Sequence, residues 1–246
     1  MVAKEISSLQ HPKVKELISL RLDKRIREER KQVLLIGRKM VLEIAKKVRL
    51  TTLITSEKTL SIQAQEHILV TPEILQKITS LPSTDGVIAV APMPQPSLPP
   101  KIKKILILDR LQDPGNLGTL LRTALALNWD GAIFTPGTVD PFNDKALRAS
   151  KGALFSLPYQ FLHFEEIIFY CEERKITSYV ADLGGTPVAQ MAPSFPLALI
   201  LSNEGSGPTK IPEKWAQKIE IPMHNGVDSL NVATSGAILL YLLGEP

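Results

Sequence analysis

Two spacings of apolar residues alternate along the chain. Between residues 12 and 31, Val14, Leu17, Ile18, Leu22 and Ile26 recur at three- and four-residue intervals, which predicts one amphipathic helix. Short runs then take over. VLLI at 33–36, TTLITS at 51–56 and HILV at 67–70 predict strands, with a helix over 38–47 after the first of them. Thr71 ahead of Pro72 marks the start of a further helix, since the first helical turn tolerates a residue without an N–H. GVIAVAPM at 86–93 closes the series as a strand, and the alternation predicts a small α/β domain.

The stretch PMPQPSLPPK carries five prolines and interrupts any regular element. It predicts a linker over 96–103, with one domain at 1–95 and a second at 104–246. The second domain opens with KILILD at 104–109, an unbroken apolar run of the kind found in buried parallel strands. A helix over 117–127, a strand at 131–135 and helices at 143–150 and 164–174 follow. Then come a strand at 176–181, a turn at Gly184 and Gly185, and a strand at 197–202. The chain ends with a strand up to Pro222, a polar loop and an apolar helix that Ser229 or Asn231 caps. This order predicts a mostly parallel sheet covered on both faces.

Composition narrows the chemistry. Cys171 is the sole cysteine and four histidines lie scattered, which leaves no disulfide framework and no ligand spacing for a metal. No apolar run reaches membrane length and the first ten residues lack a signal core, so the expected location is the cytoplasm. The net charge of +4 is unevenly placed. Residues 1–100 hold 16 Lys+Arg against 10 Asp+Glu, and residues 101–246 hold 13 against 15. A basic front half suits a polyanion and equally suits a solvated surface. The helix over 12–31, with eight basic and four acidic side chains from Lys13 to Lys31, is open to the same two readings: phosphate contacts or ion pairs.

Ligands of parallel sheets lie beyond the carboxyl ends of strands, and three loops there stand out. DPGNLGTLLRTA places Asn116 in a tight turn and Arg122 on the helix behind it. LSNEGSGP offers Ser202 and Glu204, with Gly205 permitting close backbone approach. IPMHNGVDSLN brings Ile221, Met223, Ser229, Leu230 and Asn231. Taken singly, each is an ordinary turn or helix start.

Together, in this order, they resemble the three motifs of the SpoU branch of the SPOUT methyltransferases, enzymes that methylate a ribose 2′-hydroxyl in RNA with S-adenosylmethionine. The intervening TVDPFNDKALRASKGALFSLP is similar to the family as well, and the front domain resembles an RNA-binding domain of ribosomal-protein L30e type. The resemblance implies an α/β catalytic domain with a deep C-terminal trefoil knot, homodimerisation through that domain, and RNA as partner, ribosomal ahead of transfer RNA. It implies cofactor binding by Ser202, Gly205, Ile221, Met223 and Leu230, catalysis by Asn116, Arg122, Glu204, Ser229 and Asn231, and no metal. The family often has glycine where Ser202 stands, and an aromatic residue and glycine where Asn128 and Trp129 stand. A guanidinium is too weak an acid to serve as a base at neutral pH, so Arg122 is assigned to gripping the phosphate beside the target ribose. The alternative reading is an RNA-binding protein that keeps the fold without the chemistry. No GxxxxGK[ST] loop is present, and no GxGxxG follows the strand at 104–109, which disfavours a nucleotide enzyme.

Overall fold

Strands rich in β-branched and leucine side chains pair into two sheets, one in each of two units of the computed structural model, which describes residues 4–57, 60, 62–203 and 215–244. The first unit comprises Met1–Gln95 together with Asp140–Phe155, and the second Pro96–Val139 with Ser156–Pro246. The sequence places residues 140–155 with the second domain, whereas their packing places them in the first unit.

In the first unit, β1 (Lys4–Ile6), β2 (Gln32–Ile36), β3 (Leu50–Thr55), β4 (Ala64–Val70) and β5 (Val87–Pro92) form a mixed sheet in the order β1-β4-β3-β5-β2. Helices α1 (Pro12–Leu22), α2 (Lys24–Arg30), α3 (Arg38–Ala45) and α4 (Pro72–Thr79) belong to this unit, and so does α6 (Asp144–Ser150). Val14, Leu17 and Leu20 of α1 join Ile74, Leu75 and Ile78 of α4 in one buried cluster.

The single helix expected over 12–31 is two helices. Asp23 is extended (φ −103°, ψ 116°); its N–H closes α1 on the Ser19 carbonyl at 2.8 Å while its carboxylate accepts from the Arg25 N–H at 2.8 Å. Apolar period runs through the break because Ile26 packs on the same core, so only the cap at Asp23 marks it.

The basic side chains of α1 and α2 are largely engaged. Lys13 pairs with Glu16 and Glu66, Lys24 with Glu28, Arg25 with Asp23 and Arg30 with Glu16. Arg21 donates to the Thr79 carbonyl at the end of α4. Arg27 is buried and donates to Asp140 Oδ2 from Nη2 at 2.5 Å and from Nε at 3.1 Å, and to two carbonyls of α1. Of the two readings of this segment, the structure shows ion pairs.

In the second unit, β6 (Lys104–Asp109), β7 (Gly131–Phe134), β8 (Tyr159–Phe161), β9 (Thr177–Pro187), β10 (Leu197–Ser202) and β11 (Ala216–Glu220) lie in the order β11-β9-β10-β6-β7-β8, each parallel to its neighbour. One face buries Ile167 and Cys171 of α7 (Phe164–Glu173), and α5 (Pro114–Ala126) packs against α8 (Val232–Leu242). The departure at 128–129 has a local account: Asn128 takes a left-handed backbone (φ 55°), which asparagine tolerates, and buried Trp129 donates to the Leu240 carbonyl of α8 at 3.2 Å.

Three differences from the sequence reading remain. The three-residue strands β1 and β8 are too short to show a period, and the sequence does not predict them. Gly184 and Gly185 lie within β9 rather than in a turn after it. Val180 pairs with Lys218 and Thr186 with Ile219, so residues 181–185 bulge from the ladder. Gly185 is required there, because a Cβ would stand 2.6 Å from the Ile219 nitrogen. Among the described residues no helix is long and apolar enough to cross a membrane, and no group of three side chains is placed to hold a metal ion.

Candidate active site

The carboxyl ends of β10 and β11 and the start of α8 enclose a cavity of about 230 Å³. Ser202 is the last residue of β10, Ile221 and Met223 follow β11, and Ser229 and Leu230 precede α8; all five line this one cavity. Its wall is chiefly apolar, as adenine requires, with polar groups at the rim. The Ser202 Oγ is buried and has no hydrogen-bond partner among the described residues. A buried hydroxyl left unpaired costs on the order of 1–3 kcal/mol, so a polar ligand in this cavity would meet a hydroxyl still in need of a partner. Serine at this position therefore fits a cofactor-binding wall.

Asn231 is the N-cap of α8. Its Oδ1 accepts from the Ala233 N–H at 3.0 Å, and its Nδ2 donates to Asn116 Oδ1 at 3.1 Å. Of the two candidate caps, asparagine holds the place and Ser229 is left to the cavity. Asn116 is itself fixed from the other side, because the Asp113 carboxylate caps α5 by accepting from the Asn116 N–H at 2.8 Å. Two side chains 115 positions apart in the chain are thus joined beside the cavity.

Arg122 is exposed on α5, does not line the cavity and pairs with no carboxylate among the described residues. Its guanidinium is left to solvent, as a phosphate-gripping group must be. Glu204 and Gly205 lie outside the described residues.

The sequence reading missed the opposite wall. Ala181, Asp182 and Leu183 of the β9 bulge line the cavity, where Asp182 pairs with Lys218 at 2.7 Å and the Gly184 N–H donates to Glu220 at 2.8 Å. The pair of glycines was the available signal, since adjacent glycines within a strand pattern mark a bulge or a close backbone approach. Asp109 was also missed. It is fully buried at the end of β6, in register with Ser202, and accepts from the Thr135 hydroxyl at 2.8 Å and from Arg110 Nε at 3.4 Å. This network anchors the strand end from which the Asn116 turn departs.

Residues 103–241 match the model of the SpoU rRNA Methylase family. The chain is 31% identical over 250 residues to the 23S rRNA (guanosine(2553)-2′-O)-methyltransferase RlmP of Bacillus subtilis, covering 98% of this chain and 99% of that protein. The fold is similar to that of the AdoMet-bound rRNA methyltransferase from Sinorhizobium meliloti (TM-score 0.86, 27% identity, 98% of this chain and 97% of the other). It also resembles the SpoU methyltransferase AviRb from Streptomyces viridochromogenes in complex with AdoMet (TM-score 0.81, 24% identity, 95% and 97% covered), a likeness of fold. With described residues of the three motifs gathered at one end of a parallel sheet and the family model matching residues 103–241, this chain belongs to the SpoU rRNA methylase family.

Proposed function

We propose that the protein transfers a methyl group from S-adenosylmethionine to a ribose 2′-hydroxyl of ribosomal RNA. One observation carries the reading: Ser202, Ile221, Met223, Ser229 and Leu230, drawn from two separate motif loops, line one cavity beside Asn231, which bonds Asn116 of the remaining loop. The relative in Bacillus subtilis is named for 2′-O-methylation of 23S rRNA, which favours ribosomal over transfer RNA.

The cofactor supplies an already activated methyl group on its sulfonium, so the protein's task is placement of the hydroxyl and removal of its proton. Ile221 and Leu230 would wall the adenine, and Ser202, Met223 and the backbone about Gly205 would hold the cofactor. Asn116 and Asn231 orient the ribose, and Ser229 hydrogen-bonds where cofactor and nucleotide meet. Arg122 grips the neighbouring phosphate through two parallel N–H donors, so that a phosphate oxygen takes the proton. Glu204 steadies Arg122 or its own loop.

The reading extends to the rest of the chain. Residues 1–95 serve as an RNA-binding domain of L30e type, 96–103 as linker and 104–246 as the catalytic domain, its C-terminal stretch threaded as a trefoil knot. Two copies pair through the catalytic domain. In support, α8 is apolar nearly all round and leaves Tyr241 70% and Leu242 44% exposed. The activity belongs to the cytoplasm.

The test is methyl transfer from labelled S-adenosylmethionine to ribosomal and transfer RNA pools from cells lacking the protein. Label at one ribose of ribosomal RNA, abolished by Arg122→Ala and strongly reduced by Arg122→Lys, is expected. Label in transfer RNA alone would reassign the substrate. RNA binding without label or cofactor binding would mean a noncatalytic RNA-binding protein, and near-full activity of Arg122→Lys would remove the two-donor grip.

A further inference from the structure

Grouping by packing sharpens the charge asymmetry. The first unit, with residues 140–155 included, holds 19 Lys+Arg against 12 Asp+Glu, and the second holds 10 against 13. The surplus does not reside on α1 and α2, whose cations are mostly bound to nearby acids or carbonyls. It lies along α3. Lys39, Lys46 and Arg49 are exposed and pair with no carboxylate among the described residues, and the same holds for Lys151 at the end of α6.

The outer face of α3 carries a shallow groove of about 440 Å³, lined by Arg38, Lys39, Leu42, Glu43, Lys46 and Asp85. Leu42 is 41% exposed at its floor. Arg38 and Asp85 are already engaged there, the Asp85 carboxylate accepting from the Arg38 N–H at 2.6 Å and the Arg38 side chain bonding Glu57. The unpaired charge in and beside the groove is therefore positive, with Glu43 as its counterweight.

We propose that this outer face of α3 is the surface on which the RNA phosphate backbone docks, with Lys39 and Lys46 each meeting a phosphate, Arg49 continuing the basic run just past the helix, and Leu42 lying against a ribose or base. The proposal rests on the RNA methyltransferase reading and assigns it a face.

The experiment compares binding of purified ribosomal RNA, across a range of salt concentrations, by three full-length proteins. They are the wild type, a groove variant (Lys39→Ala, Lys46→Ala, Arg49→Ala) and a control (Lys15→Ala, Lys24→Ala, Arg25→Ala). Removing one cation from a phosphate lowers the slope of log K against log salt by about 0.7–0.9, so the groove variant should lose about 2 from its slope and bind at least tenfold more weakly at low salt. Its S-adenosylmethionine affinity should stay within about twofold of wild type, and the control should keep the wild-type slope. An unchanged slope in the groove variant, or a loss confined to the control, overturns the assignment to α3. A wild type that binds S-adenosylmethionine but shows no salt-dependent binding to ribosomal RNA overturns the RNA reading itself.

Discussion

Replacing Gly185 with alanine tests whether the β9 bulge shapes the cofactor cavity. A Cβ at this position would stand 2.6 Å from the Ile219 nitrogen, 2.7 Å from the Lys218 carbonyl carbon and 2.8 Å from that of Ile219. Ordinary contact begins near 3.4 Å, so β11 must retreat by about 0.6–0.8 Å. All three atoms are backbone, which cannot turn aside as a side chain does, and overpacking of this kind costs about 1–3 kcal/mol. Ile219 and Ile221 line the cavity, so the wall moves with the strand. A displaced wall should weaken S-adenosylmethionine by at least tenfold, about 1.4 kcal/mol, in a calorimetric titration. Gly184→Ala is the control. Gly184 has a left-handed backbone (φ 73°) but nothing within 4 Å of its Cβ position, so alanine should cost about 1 kcal/mol of stability and leave cofactor affinity close to wild type. Wild-type affinity and unfolding midpoint in Gly185→Ala would refute the argument.

Two further predictions concern the scaffold. Arg27→Met strands the Asp140 carboxylate in a largely buried setting and should cost about 3–5 kcal/mol in denaturant unfolding, while adding Asp140→Leu should recover most of it; a cost below about 1 kcal/mol for the single change would show that the pair does not hold residues 140–155 in place. Burial pushes the Cys171 thiol up to about 11 from about 9, so the folded protein favours the protonated form and loses stability as pH rises through that window. Relative to Cys171→Ala, the wild type should lose about 1.4 kcal/mol between pH 8 and pH 10, measured by denaturant unfolding at both; equal losses in the two proteins would contradict it.

Much of the site is legible in the residues. The three loops holding Asn116, Ser202, Ile221, Met223, Ser229, Leu230 and Asn231 stand out because turn formers, glycines and capping residues adjoin apolar runs at strand ends, while it is the resemblance to the SpoU motifs that picks these residues out within them. Cap chemistry and strand patterning are local, acting within a few residues, so they are written in consecutive letters. Of the opposite wall only the Gly184–Gly185 pair is legible, as the mark of a bulge. Asp182 and Leu183 face the cavity only because β9 bulges against β11, a register shift decided by the pairing of strands more than thirty residues apart.

The sequence by itself determined two α/β units, the parallel order of elements after the prolines, and the loops whose described residues meet at the cavity. Tertiary structure alone decided three matters. Asn231 rather than Ser229 caps α8, because its amide also reaches Asn116 across the site. Arg21, Arg27 and Lys13 are engaged by the Thr79 carbonyl, Asp140 and Glu66, which arrive from distant segments, beside the local pairs with Glu16, Asp23 and Glu28. Residues 140–155 join the first unit, because Asp140 offers the one described carboxylate that the buried Arg27 guanidinium meets there. Each depends on which remote groups come within hydrogen-bond reach, and a pattern read along the chain carries no record of that distance.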